Sequence, residues 1–164
     1  VKEKPKSEEF GKAQGALRRL DLKGKSLELA GPLLEGKGSV DVRKNLAGKV
    51  VVVVFWNSAW KPCEEDVPPL RLLYQEYKSK DLEIVGVALD TEKSVVQGYI
   101  SKNKMSWPQI FQPGGTSSPL AVQFGIISFP TMFIVDRDGK VISRNANITE
   151  IKTELPDLLN AKKK

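Results

Sequence analysis

Cys63 is the only thiol among 164 residues, and the chain contains no histidine. Those two facts bound the available chemistry. Without imidazole there is no Ser-His-Asp triad, no Cys-His nucleophile pair and no histidine-based metal site. One thiol makes neither an internal disulfide nor a multi-thiolate zinc site, so any thiol-disulfide exchange must use a partner's thiol. Glu64, Glu65 and Asp66 follow Cys63 directly. Asp66 lies one helical turn beyond the thiol, in the first turn of the helix that follows, a place that suits an acid.

Pro62 just before Cys63 suits the first turn of a helix, and the spacing predicts that helix over residues 62–80. A helix N-terminus favours thiolate, yet Cys63 lies a residue or more inside it and beside three carboxylates, so weak activation is predicted. A partly buried inert thiol and a reactive monothiol both remain open. Trp56 and Trp60 bracket the turn before the helix. Trp56 reads as core, whereas Trp60 reads either as a lid over Cys63 or as an apolar surface for a peptide or lipid-like ligand.

The elements that position these residues are legible from periodicity. Residues 50–56, Val-Val-Val-Val-Val-Phe-Trp, are apolar on both faces, as in a central strand covered by helices on each side. Residues 82–89 read as a second buried strand and 93–104 as a second helix, which implies a parallel β-α-β crossover. Pro68-Pro69 predicts a kink or break in the first of these helices, with Leu70, Leu73 and Tyr77 as its inner stripe. A loop with Gly114-Gly115 leads to a short helix near 118–124. Strands at 131–135 and 140–144 flank Asp136-Arg137-Asp138-Gly139, a strong hairpin signal. Pro156 predicts a short or late-starting closing helix within 150–159. Ahead of the main sheet, 27–29 and 40–42 flank Gly36-Lys37-Gly38 as two small strands. Residues 1–21 read as an appendage, polar at first, then a short amphipathic helix with Phe10, Ala13, Leu17 and Leu20 spaced three or four apart. Residues 22–164 form the remaining domain.

The turn Phe55-Trp56-Asn57-Ser58-Ala59-Trp60-Lys61-Pro62-Cys63, between strand and helix, resembles the active-site turn of the thioredoxin-like superfamily. Glu64-Glu65-Asp66-Val67-Pro68, Phe129-Pro130-Thr131 and the Asp136–Gly139 hairpin extend the resemblance over about residues 22–160. Within the superfamily it is most similar to the TlpA/ResA type of thiol-disulfide oxidoreductase, related to the alkyl hydroperoxide reductase/thiol-specific antioxidant group. The implied fold is α/β and thioredoxin-like, a central mixed sheet flanked by helices with an N-terminal small-strand extension. In that family the turn reads Phe-Trp-x-x-Trp-Cys-x-Pro-Cys. Counted without gaps, Trp60 stands where the first cysteine belongs. With a one-residue deletion, Lys61 does. Either register removes the nucleophile and leaves only the resolving thiol.

The resemblance implies catalytic roles for Cys63 and Asp66, a cis peptide bond at Pro130, and a substrate groove formed by Trp60, Phe129 and Pro130. Phe129 is bulkier than the family's usual residue there and narrows that groove. A peroxiredoxin reading fails, because its Pro-x-x-x-Thr-x-x-Cys motif meets Trp56 and Trp60 here.

Two functions are therefore carried forward. One is a thiol-disulfide oxidoreductase limited to single-thiol exchange at Cys63, with a protein or peptide thiol/disulfide partner. The other is a redox-silent binding or scaffolding module on the same fold. No cofactor or metal is expected. The net charge of +6 is spread through Lys/Glu pairs and a terminal Lys162-Lys163-Lys164, a solvated surface rather than a nucleic-acid patch. The longest apolar run, 50–56, is too short to cross a bilayer. The family resemblance implies an extracytoplasmic place, periplasmic or membrane-tethered.

Overall fold

Five consecutive valines, Val50–Val54, have no polar face to offer water, so their strand is stable only between two apolar layers. The computed structural model, which describes residues 7–162, places them in that position. The elements run α1 (Glu8–Leu20), β1 (Ala30–Pro32), β2 (Ser39–Asp41), α2 (Val42–Asn45), β3 (Val50–Trp56), α3 (Lys61–Tyr77), β4 (Leu82–Ala88), α4 (Lys93–Asn103), β5 (Gln109–Phe111), α5 (Pro119–Phe124), β6 (Thr131–Val135), β7 (Val141–Ala146) and α6 (Ile148–Asn160). The main sheet has the order β5-β4-β3-β6-β7, with β3 central. β3 pairs in parallel with β4 and antiparallel with β6, and β4 pairs in parallel with β5. Alternation along β3 feeds two cores. Val52, Val54 and Trp56 pack with Val67 and Leu70 of α3 and with Ile151 and Leu155 of α6. Val51, Val53 and Phe55 pack with Val42 of α2 and Phe124 of α5. Each fully buried side chain of this kind contributes about 1.5–3 kcal/mol over its exposed state.

Several boundaries differ from the sequence expectation. The small strands form an antiparallel pair, but the first is Ala30–Pro32, with Leu27 and Leu29 buried just before it rather than paired within it. Helix α3 runs through Pro68 and Pro69 without a break, and Tyr74 rather than Tyr77 completes its buried stripe. The closing helix likewise runs from Ile148 through Pro156. Pro68 and Pro156 lie on exposed faces, where water can satisfy the carbonyls that their missing N–H groups release. The short β5 carries too little periodicity to be recognised from sequence.

Helix α1 turns its apolar stripe outward. Phe10, Leu17 and Leu20 are 44%, 66% and 53% exposed, and Gly15 is the buried residue. The helix approaches α5 through glycine: a Cβ on Gly15 would stand 2.1 Å from the Val122 carbonyl oxygen, and one on Gly125 2.2 Å from the Ala16 nitrogen. Backbone proximity, not the apolar stripe, decides its orientation. The Arg19 side chain fastens the contact by donating to the carbonyls of Phe124 and Gly125. The polar start of the appendage, residues 1–6, and Lys163-Lys164 lie outside the described residues.

Candidate functional site

Parallel pairing of Trp56 with Ala88 brings the ends of β3 and β4 side by side, so the loops that follow must meet. Asp90, buried to 7% exposure, accepts the backbone N–H of Ser58 and the Ser58 hydroxyl. Asn57 donates through Nδ2 to the Leu89 carbonyl at 3.1 Å and accepts the Ala59 N–H at 3.0 Å. This clamp holds the turn that launches α3. Neither Ser58 nor Asp90 stood out in the sequence. Their positions, each two residues beyond the end of neighbouring parallel strands, are the signal that pairs them.

Trp60 is the N-cap of α3, and its carbonyl accepts the Cys63 N–H at 3.0 Å. The indole supplies no capping oxygen, so the helix starts without a side-chain cap. Trp60 remains 51% exposed, while Cys63, three residues on, is 3% exposed. Cys63 lines a narrow cleft together with Trp56, Asp66, Val67, Met105, Trp107 and Pro130. Trp60 is not among those walls. Burial pushes the thiol up to about 11, the Asp66 and Asp90 carboxylates push the same way, and a backbone hydrogen bond from Asn57 opposes them. Cys63 is thus a protonated thiol at neutral pH. Asp66 is also raised, first by burial and then by Glu65, so it is a half-buried acid within the same cleft.

Across the turn, the Phe129–Pro130 peptide bond is cis. The Phe129 ring meets Trp60 edge to face, with 6.4 Å between centroids. The structure therefore brings Trp60, Phe129 and Pro130 to one rim and sets Cys63 and Asp66 beneath it. Trp56 is 2% exposed, packs at 5.1 Å on Tyr99 and donates through Nε1 to Gln109 Oε1 at 2.9 Å, so it belongs to the core. Among the described residues no cluster of His, Cys, Asp or Glu could hold a metal ion.

The Redoxin family model matches residues 24–161. Thiol-disulfide oxidoreductase ResA of Bacillus thuringiensis subsp. konkukian is 32% identical over 134 residues, which cover 82% of this chain and 68% of that protein. The chain belongs to the Redoxin family, and within it to the TlpA/ResA type. Solved structures agree on the fold. A thiol-disulfide oxidoreductase from Bacteroides fragilis superposes with a TM-score of 0.73 at 26% identity, over 82% of this chain and 99% of that one. The thioredoxin domain of a Bacteroides vulgatus thiol-disulfide oxidoreductase gives 0.74 at 24% identity, over 84% and 98%. This Redoxin member keeps the thioredoxin-like mixed sheet flanked by helices, but holds one cysteine where exchange between two thiols would need a pair. Whatever thiol chemistry the chain retains resides in Cys63. The ResA relatives are named thiol-disulfide oxidoreductases, and among the described residues no helix is long and apolar enough to cross a membrane.

Proposed function

We propose that this TlpA/ResA-type domain is redox-silent at rest and binds an extended segment of a thiol- or disulfide-bearing protein along the rim of Trp60, Phe129 and Pro130. The carrying observation is the contrast between a half-exposed Trp60 at the helix N-cap and a Cys63 that is 3% exposed with its thiol raised to about 11. Exchange starts when an exposed thiolate attacks a disulfide sulfur. Here the exposed position holds an indole, and the remaining sulfur is protonated and covered. Single-thiol exchange at Cys63 would first require the cleft to open and the thiol to ionise.

In this reading Pro130 and Phe129 present backbone to an extended segment, Trp60 packs against its side chains, and the buried Cys63 with the half-buried Asp66 is a remnant of the exchange centre. Residues 1–21 are an appendage to the 22–164 fold, a division supported by a family match that begins at residue 24. An extracytoplasmic location, periplasmic or membrane-tethered, follows the habit of the family. The deciding experiment compares disulfide reduction with binding. Purified protein is expected to reduce insulin no faster than the added dithiol alone, and Cys63→Ser is expected to bind extended peptides as the parent does. Catalytic reduction by the parent, or loss of binding in Cys63→Ser, would reverse the assignment.

A further inference from the structure

We propose that Trp60 converts this rim into a receptor for a large apolar side chain, carried on an extended segment with basic rather than acidic flanks. The inference rests on the peptide-binding reading above and adds to it the class of residue selected. Three observations carry it. First, the rim is apolar and uncovered: Trp60 is 51% exposed, its partner ring Phe129 stands edge to face with it, and Ile127, two residues before Phe129, is 74% exposed. Second, the Phe129 N–H and C=O make no hydrogen bond within the described residues. Backbone groups left open beside an apolar surface suit an extended strand, which supplies N–H and C=O at alternate residues and side chains between them. Third, the first turns of α3 carry Glu64, Glu65 and Asp66 against Lys61 alone, which favours basic flanks and disfavours acidic ones.

An indole at the N-cap changes what a bound segment meets there. A large aliphatic or aromatic side chain placed against Trp60 and Phe129 loses apolar surface to ring faces and edges. A hydroxyl or carboxylate in that place loses water and meets one donor at most. The indole itself offers one N–H donor and no acceptor. Selection therefore passes from a sulfur to a large apolar group.

The test uses matched nonapeptides of a Lys/Thr host with Phe, Leu, Cys or Ser at the centre, and a Phe-centred version with Glu in place of Lys. Binding to the whole chain is followed by NMR through the Trp60 indole N–H and the Phe129 amide. Phe- and Leu-centred peptides are expected to bind at least about tenfold tighter than the Ser-centred one. The Lys-flanked Phe peptide should outbind its Glu-flanked counterpart, by a margin that narrows with added salt. Trp60→Ala should erase the central-residue preference while the Phe129 amide still responds, and Trp60→Phe should keep the preference. Equal binding of Phe and Ser peptides, preference for the Cys peptide, or a preference that survives in Trp60→Ala overturns the inference while leaving peptide binding intact. Absence of binding by every peptide overturns both the inference and the reading beneath it.

Discussion

Asp90 receives both the backbone N–H and the hydroxyl of Ser58, so the loop after β4 fixes the loop after β3. That single carboxylate links strand order to helix placement. Parallel pairing sets β3 beside β4, the clamp sets the turn, and the turn sets Trp60 at the N-cap with Cys63 one turn deeper. The same carboxylate also disfavours the Cys63 thiolate. Holding the turn and adding to the burial that raises the thiol are thus two effects of one group.

Removing that group tests both effects. Asp90→Ala leaves the half-buried Ser58 donors without their charged acceptor and is expected to destabilise the fold by about 1–3 kcal/mol in urea unfolding. Asp90→Asn retains an acceptor but not the charge. It should unfold nearer the parent and lower the Cys63 pKa modestly, since burial is the larger cause of the shift. An unchanged labelling profile in Asp90→Asn would separate Asp90 from the thiol.

The buried thiol predicts a pH profile. With Cys63 raised to about 11 in the fold against an ordinary value of 9.0, about one molecule in a thousand carries thiolate at pH 8. Labelling of native protein by a disulfide reagent should be slow at neutral pH, rise steeply above pH 10, and become rapid at pH 8 once the chain is denatured. The linkage sign follows. A folded-state pKa above the unfolded one stabilises the fold fully below about pH 9, and the contribution is lost as pH rises toward about 11. Cys63→Ser should flatten that alkaline loss, measured by unfolding free energy between pH 8 and 11.

Trp60→Cys restores the spacing of a two-thiol turn, with the introduced thiol at the N-cap and Cys63 three residues on. The N-cap position lies at the positive end of the helix dipole, so the new thiol is expected to be far more acidic than Cys63. An internal disulfide should form in oxidised protein, and insulin reduction should become measurable. A variant that folds yet forms no disulfide would favour the register in which Lys61 holds the missing position.

The glycine contact between α1 and α5 predicts a steric cost. Gly15→Ala places a Cβ 2.1 Å from the Val122 carbonyl oxygen, so backbone must move. Overpacking of this kind costs about 1–3 kcal/mol. Because α1 lies outside the main sheet, detachment of the helix is the expected relief. Hydrogen exchange should show residues 8–20 losing protection while β3 and β4 keep theirs. Gly11→Ala, whose Cβ would meet only the Val122 side chain at 3.2 Å, should have a smaller effect.

What the residue order settled by itself is local or compositional. Continuous valines demanded a covered central strand, Asp138-Gly139 ended a hairpin, and a single cysteine ruled out intramolecular exchange. None of these depends on which surfaces later meet. Tertiary structure decided the rest. Helix α1 buries Gly15 rather than its apolar stripe because backbone approach to Gly125 outweighs periodicity. Pro68 and Pro156 leave their helices intact because both face water. Ser58 and Asp90, distant in the chain, meet only when β3 lies beside β4. Trp60 and Cys63 are three residues apart, yet one stands in solvent and the other in a cleft, because an N-cap side chain projects outward while the first turn of the helix is pressed onto the sheet.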